Sequence, residues 1–312
     1  MVGFDEEQEK ELKTHLKDTF EAQSEKELGG ELLKNYEREK TEEEKRIIID
    51  ILAKMPDFVE KYDGTPVDIT LEHIHILDGK KLDEETRKKL DMTKDEGGGY
   101  TLSKQLIYIT DSGNNLENAQ KIVHETMHFN SFQSIELTKK GEKRFNIRRT
   151  GFEVHSRGKK EVFFNKMNEA IIEELTKRFD IQYFEDVPVI SDEVKERNNI
   201  KKHAKGKGED IARIKFSPDE LDKNKTNFTA KYYAYTKNRG GLNQDIANIY
   251  EKNKNERDEY GELIFNSAED VFNIFAKAVM TGNLLEVARL SEKTYGKGLF
   301  RRGAERTKIE KK

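Results

Sequence analysis

Residues 124 to 128 of the chain read His-Glu-Thr-Met-His, two imidazoles four positions apart with an acid directly after the first. On a helix this spacing stacks both rings on one face, near enough to share a single metal ion. Composition alone makes such a pattern expected about 0.03 times in a chain of this length, so its context has to support it. A structural zinc site closes with four protein ligands, whereas a catalytic one uses three and leaves a position for water. The chain has no cysteine to offer. One known solution adds a glycine three and a histidine six positions after the second histidine, but Ser131 and Ser134 stand there. The other solution is a glutamate from a later helix, and residues 168 to 174 read Asn-Glu-Ala-Ile-Ile-Glu-Glu.

Two neutral imidazoles and one carboxylate leave a zinc ion positive enough to bring a water to a pKa of about 7 and to polarise a carbonyl. Glu125, one residue past the first histidine, reaches that water rather than the metal, which makes it the general base and later the proton donor to the leaving amine. The plainer reading, two packed core histidines in a glutamate-rich chain, leaves Glu125 and the second motif without a purpose. His73 and His75 alternate with Leu71, Ile74 and Ile76 and read as structural, while His15 and His203 stand among charges and read as surface residues.

The pentad together with Asn168, Glu169, Ala170 and Glu173 resembles the gluzincins, the thermolysin-like zinc metallopeptidases, over about residues 100 to 185. The resemblance implies Glu169 as third ligand of one catalytic Zn2+. It implies Glu173, or its neighbour Glu174, as the acid that fixes the tautomer of a ligand histidine, with Asn168 beside the ligand. It also implies an oxyanion donor from beyond the glutamate helix, here Tyr233 or Tyr235 of the run Tyr232-Tyr233-Ala234-Tyr235, with His155 and His203 behind them. The strand before the active-site helix would be an edge strand that pairs with an extended substrate, so Tyr100 to Ile109 would line the groove. The insert from Thr138 to Lys166 makes the motif spacing longer than in thermolysin and points to a divergent branch. The implied activity is peptide-bond hydrolysis on a peptide or protein substrate. Two alternatives stand beside it: a catalytically idle zincin-like protein that binds peptides or a partner, against which Glu125 argues, and hydrolysis of a small-molecule amide or ester.

These side chains need an active-site helix, and Ala119, Ile122, Val123, Thr126 and Met127 supply its small and apolar positions, with Asn114 or Asn115 as cap after Gly113. The expected fold is α+β and zincin-like. It has a small mixed sheet and active-site helix over 63–135, a mainly helical lower lobe over 136–312, and a charged helical extension over 1–62. Three helices are expected between 4 and 61, broken at Gly29-Gly30, as a solvated layer or as a regulatory segment covering the cleft. Strands are expected over Val67 to Leu77 and Thr101 to Thr110, with a helix over Asp83 to Leu90 and Gly97-Gly98-Gly99 as a break. The basic insert from Lys139 to Lys160 reads as a hairpin, and 199–226, rich in Lys, Asn and Gly, as a mobile loop. Helices follow over 227–253, 267–280 and Leu284 to Tyr295, the last ended by Gly296, and then a frayed basic tail from Arg301 to Lys312.

At 312 residues, with 34% hydrophobic and 38% charged residues and a net charge of −4, the chain can bury a core and favours neither nucleic acid nor membrane as a partner. Without cysteine, its fold does not depend on redox state. The start, Met1-Val-Gly-Phe-Asp-Glu-Glu, lacks the features of a signal peptide, and no apolar run reaches membrane-spanning length, so a soluble cytoplasmic protein is expected.

Overall fold

The computed structural model describes residues 10, 14, 35–89, 97–101, 106–137, 145–157, 161–203, 207–218, 226–257, 259–306 and 309–310. The chain is mixed α+β with small sheets. Of the three expected N-terminal helices, the first two lie outside the described residues apart from Lys10 and Thr14 of the first and Asn35 and Tyr36 of the second. The third is helix α1 (Glu42–Glu60). It begins at Thr41, whose Oγ1 accepts the Glu44 N–H at 3.2 Å while the Glu44 carboxylate accepts the Thr41 N–H at 2.9 Å. Such reciprocal capping satisfies two otherwise orphaned donors. Rather than a solvated layer, α1 is core: Ile47, Ile48, Ile51, Met55, Phe58 and Val59 are buried in one cluster with Leu116, Ile122, Ile171 and Phe272. Its period-3.6 apolar stripe was visible, but the surrounding Glu and Lys residues masked how deep it lies.

Strands β1 (Ile74–Leu77), β2 (Gly98–Thr101) and β3 (Leu106–Thr110) form a sheet in the order β1-β3-β2, with β1 parallel and β2 antiparallel to β3. A short helix, α2 (Glu84–Lys89), separates β1 from β2. The expected strand from Val67 shortens to β1, preceded by a 3-10 turn over Leu71–His73. The expected single strand from Thr101 to Thr110 is two strands, with Gly98 and Gly99 inside β2. This corrects the edge assignment. The strand next to the active-site helix is central, and among the described residues β2 pairs with β3 only.

Helix α3 (Asn115–Asn130) follows β3 and carries the pentad. After it, β4 (Gln133–Leu137), β5 (Phe145–Thr150), β6 (Glu153–His155) and β7 (Glu161–Phe163) pair antiparallel in sequence order, so the basic hairpin is the middle of a larger sheet. Helix α4 (Asn165–Tyr183) bears the second motif, and α5 (Ser191–His203) follows.

Within the expected mobile loop over 199–226, residues 199–203 complete α5, and β8 (Ile211–Pro218) pairs antiparallel with β9 (Thr226–Tyr232), which takes the first part of the helix expected beyond it, while 204–206 and 219–225 lie outside the described residues. The hairpin's alternation of Ala212, Ile214 and Phe216 against Phe228, Ala230 and Tyr232 was hidden by the Lys- and Asn-rich surroundings. Helix α6 (Thr236–Asn253) starts after Tyr235. Helix α7 (Ala268–Thr281) buries Val271, Phe272, Phe275, Ala278 and Val279. Helix α8 (Leu285–Tyr295) ends at Gly296, whose φ is 100°. In place of a frayed tail come α9 (Leu299–Arg306) and β10 (Ile309–Glu310), the latter paired with β7. Among the described residues, no helix is long and apolar enough to cross a membrane.

Candidate metal centre

The start of α3 is fixed locally. Asn114 Oδ1 accepts the Glu117 N–H at 2.8 Å, and Gly113, at φ 70°, gives its own N–H to Asp111 Oδ1 at 2.8 Å. The other end stops at Ser131, whose Oγ donates to the His128 carbonyl at 2.6 Å. Between these caps Leu116, Ala119, Ile122, Val123 and Met127 hold the helix in the core. Helix α4 starts from Phe164, a non-glycine residue in the left-handed region at φ 61°, and buries Ile171, Ile172, Leu175 and Phe179.

The two helices meet along a polar ladder. Gln120 Nε2 donates to Asp180 Oδ2 at 2.8 Å, His124 Nδ1 lies 2.7 Å from Glu173 Oε2, and His128 Nε2 lies 3.4 Å from Glu169 Oε2. Positions 120, 124 and 128 rise along α3 as 180, 173 and 169 descend α4, so the helices run in opposite directions with matching faces.

At the last rung three donor atoms converge. His124 Nε2 and His128 Nε2 are 3.2 Å apart, and Glu169 Oε2 is 3.6 Å from the first and 3.4 Å from the second. Bonds of about 2.0–2.1 Å to a tetrahedral zinc ion put its ligand atoms about 3.3–3.4 Å from one another. The triangle has the size of one face of that tetrahedron, so His124, His128 and Glu169 could hold a metal ion. With Nδ1 committed to Glu173, a neutral His124 turns its Nε2 lone pair toward the triangle.

Charge follows the same geometry. Burial alone would lower the His124 imidazolium, but Glu169 and Glu173 outweigh it and raise the group well above its ordinary value. Burial would likewise raise the Glu169 carboxyl, yet His128 and His124 hold it well below the usual carboxylate range. The triangle is thus built to receive positive charge.

Each histidine has a tyrosine stacked on it. Tyr235 lies over His124 with centroids 6.0 Å apart and planes at 15°, and Tyr100 of β2 lies over His128 at 5.8 Å and 16°. Burial pushes the Tyr100 phenol up to about 12. Glu125 is buried against β2, where a Cβ at Gly98 would come within 3.1 Å of Glu125 Oε1 and 2.7 Å of the Tyr108 carbonyl oxygen. Glycine at 98 is what leaves room for that carboxylate.

Glu173 does two jobs, holding His124 through Oε2 and accepting the Ala234 N–H through Oε1 at 2.7 Å. Its neighbour Glu174 turns away to Arg178 and Arg239. Two expected site residues lie elsewhere. Asn168 accepts the Phe152 N–H at 2.9 Å and clamps the β5–β6 turn, where a Cβ at Gly151 would lie 2.6 Å from Asn168 Oδ1. Tyr233, 3% exposed, gives its hydroxyl to Asp180 at 2.5 Å, whereas Tyr235 is 36% exposed. Burial, then the Asp180 charge, raise the Tyr233 phenol well above its usual value, so it keeps its proton away from the triangle.

Of the remaining histidines three pair locally, and His15 lies outside the described residues. His155 meets Glu153 at 2.8 Å, His75 meets Glu37 at 2.8 Å, His73 bonds Thr70 at 2.9 Å, and His203 is exposed at the end of α5. Sequence reasoning missed Gly98 and the Ala234 N–H. Gly98 stands in a run that reads as a break between elements, and a backbone donor leaves no signal in the sequence. Comparison with protein-family models, with curated proteins and with solved structures finds no match, so the meaning of this centre rests on its own geometry and chemistry.

Proposed function

We propose that the chain is a zinc-dependent peptidase of zincin-like fold, a divergent relative of the gluzincins, with His124, His128 and Glu169 as metal ligands. The observation that carries this reading is the three-atom triangle, with edges of 3.2 to 3.6 Å, and Glu125 buried next to its first ligand. A zinc ion bound there supplies a Lewis acid that polarises a carbonyl and acidifies a water. Glu125 takes a proton from the attacking water as the new C–O bond forms, and then delivers it to the leaving nitrogen as the C–N bond breaks. Glu173 keeps the His124 ring turned with Nε2 inward. Tyr235 replaces Tyr233 as the proposed hydroxyl donor to the oxyanion, because its ring lies on His124 and is open to solvent. Edge strand β2, reaching Glu125 at Gly98 and His128 at Tyr100, offers its backbone to an extended peptide.

The test compares the native chain with Glu125→Gln for zinc content and for cleavage of a denatured-protein mixture. One zinc per chain in both, with activity lower by about 10²- to 10⁴-fold in the variant, is the expected result. Equal inertness of two zinc-loaded proteins across many substrates would end the peptidase reading.

A further inference from the structure

The residues just before α6 form a three-part contact with the metal-bearing helices. Tyr233 gives its hydroxyl to Asp180 Oδ2 at 2.5 Å, Ala234 gives its N–H to Glu173 Oε1 at 2.7 Å, and Tyr235 lays its ring on His124. Asp180, Glu173 and Glu169 all lie on α4. The segment is therefore pinned to the helix that supplies both the carboxylate ligand and the acid that orients His124.

Tyr235 sits at φ 51°, a left-handed conformation that a non-glycine residue keeps only when its surroundings impose it. The backbone on either side is tied down: the Tyr233 N–H bonds Asp210 O at 3.1 Å, and the Arg239 N–H bonds Tyr235 O at 2.9 Å. The side-chain anchor is the Tyr233 hydroxyl. Its acceptor is itself fixed, since Asp180 also receives both Arg197 Nη atoms at 2.6 and 2.7 Å and Gln120 Nε2 at 2.8 Å. Gln120 lies one turn before His124 on α3. Asp180 thus joins α3, α4, α5 and the 233–235 segment at one point.

We infer that Tyr233 is a positioning residue for the metal centre: its bond to Asp180 sets where Ala234 and Tyr235 lie, and through them how Glu173 holds His124. Without that hydroxyl, Ala234 is no longer held onto Glu173 Oε1, the carboxylate turns, and the His124 ring loses its fixed aim. Acids that orient ligand imidazoles change metal affinity by about 10- to 100-fold when removed. One step further out, the expected loss is about tenfold. This inference rests on the metal reading of the site and not on the reaction proposed for it.

The experiment uses the full chain stripped of metal, as native protein, Tyr233→Phe, and Val287→Ala, a core truncation in α8, which packs against α6, α7 and α9. Zinc affinity is read by competition with a chromophoric chelator, site geometry by the visible spectrum of bound Co2+, and stability by thermal melting. Tyr233→Phe keeps the ring, whose face meets Lys201 and Arg239. It should bind zinc about tenfold more weakly, with shifted Co2+ bands, while Val287→Ala melts lower and keeps the native affinity and spectrum. Native affinity and an unchanged Co2+ spectrum in Tyr233→Phe overturn the inference, as does an equal loss in Val287→Ala. A native chain that takes up neither ion overturns the metal reading and this inference together. A native chain that binds zinc but cleaves nothing defeats only the proposed function, and the affinity comparison still decides the role of Tyr233.

Discussion

The seam between α3 and α4 uses similar side chains to opposite ends. At its outer end Asp180, fully buried, accepts four hydrogen bonds, from Arg197 twice, Tyr233 and Gln120. At its inner end His124, His128 and Glu169 turn two ring nitrogens and a carboxylate oxygen toward one another, and His128 Nδ1 is buried without a hydrogen bond. A buried charge whose every partner is present fixes structure. Converging ligand atoms of this kind could hold a metal ion. Because both ends ride on the same two helices, the closed end acts as the ruler for the open one.

The comparison breaks most visibly at Asp180. Asp180→Ala strands the Arg197 guanidinium at 1% exposure, and losing one partner of such a pair costs about 3–5 kcal/mol. Urea unfolding of the metal-free protein should show that loss, and a change below about 1 kcal/mol would mean that the outer network does not hold the helices.

A smaller effect is expected at the open end from Gly98→Val. The added atoms meet the Tyr108 carbonyl oxygen and the Glu125 side chain, an overpacking cost of about 1–3 kcal/mol. The difference between the ends lies in what else is lost. If Glu125 is displaced, peptide cleavage should fall well beyond what the lower melting temperature explains while zinc content stays near one per chain. Full activity in a folded Gly98→Val protein would show that β2 does not confine Glu125.

How much of this was legible beforehand differs between the same two ends. The inner end is written locally: His124 and His128 are one turn apart, Glu169 and Glu173 likewise, and helical periodicity puts each pair on one face. The outer end is not. Asp180, Arg197 and Tyr233 come from separate elements, and their meeting depends on a hairpin whose alternation was diluted by Lys and Asn. That is also why Tyr233 and Tyr235 could not be told apart. Two residues apart in sequence, they diverge because Tyr235 takes a left-handed turn that no side-chain pattern announces. The split of 97–110 into β2 and β3 escaped for a related reason, since glycines that normally end strands lie inside one where Tyr108 leaves no room for a Cβ.

The pH response sharpens the contrast without any mutation. In the metal-free protein His124 is raised well above its ordinary value, so near neutrality it carries a proton that a metal ion must displace. Apparent zinc affinity should therefore climb by about tenfold per pH unit beyond pH 6.5, where an ordinary imidazole would level off, until the raised value is passed. Metal-free stability runs the other way: the His124 contribution is complete below about pH 6.5 and is lost as pH rises through the folded value. Glu169, held low, contributes above about pH 4.3 and loses that contribution only as pH falls through its depressed folded value. Arg197 at the closed end, raised above an already alkaline value, keeps its charge throughout. Chelator competition and melting curves of the metal-free chain between about pH 6 and 9 check both signs. An affinity that levels off near pH 6.5 would mean that Glu169 and Glu173 do not hold a proton on His124, and the inner end would then be no more receptive to positive charge than any pair of surface imidazoles.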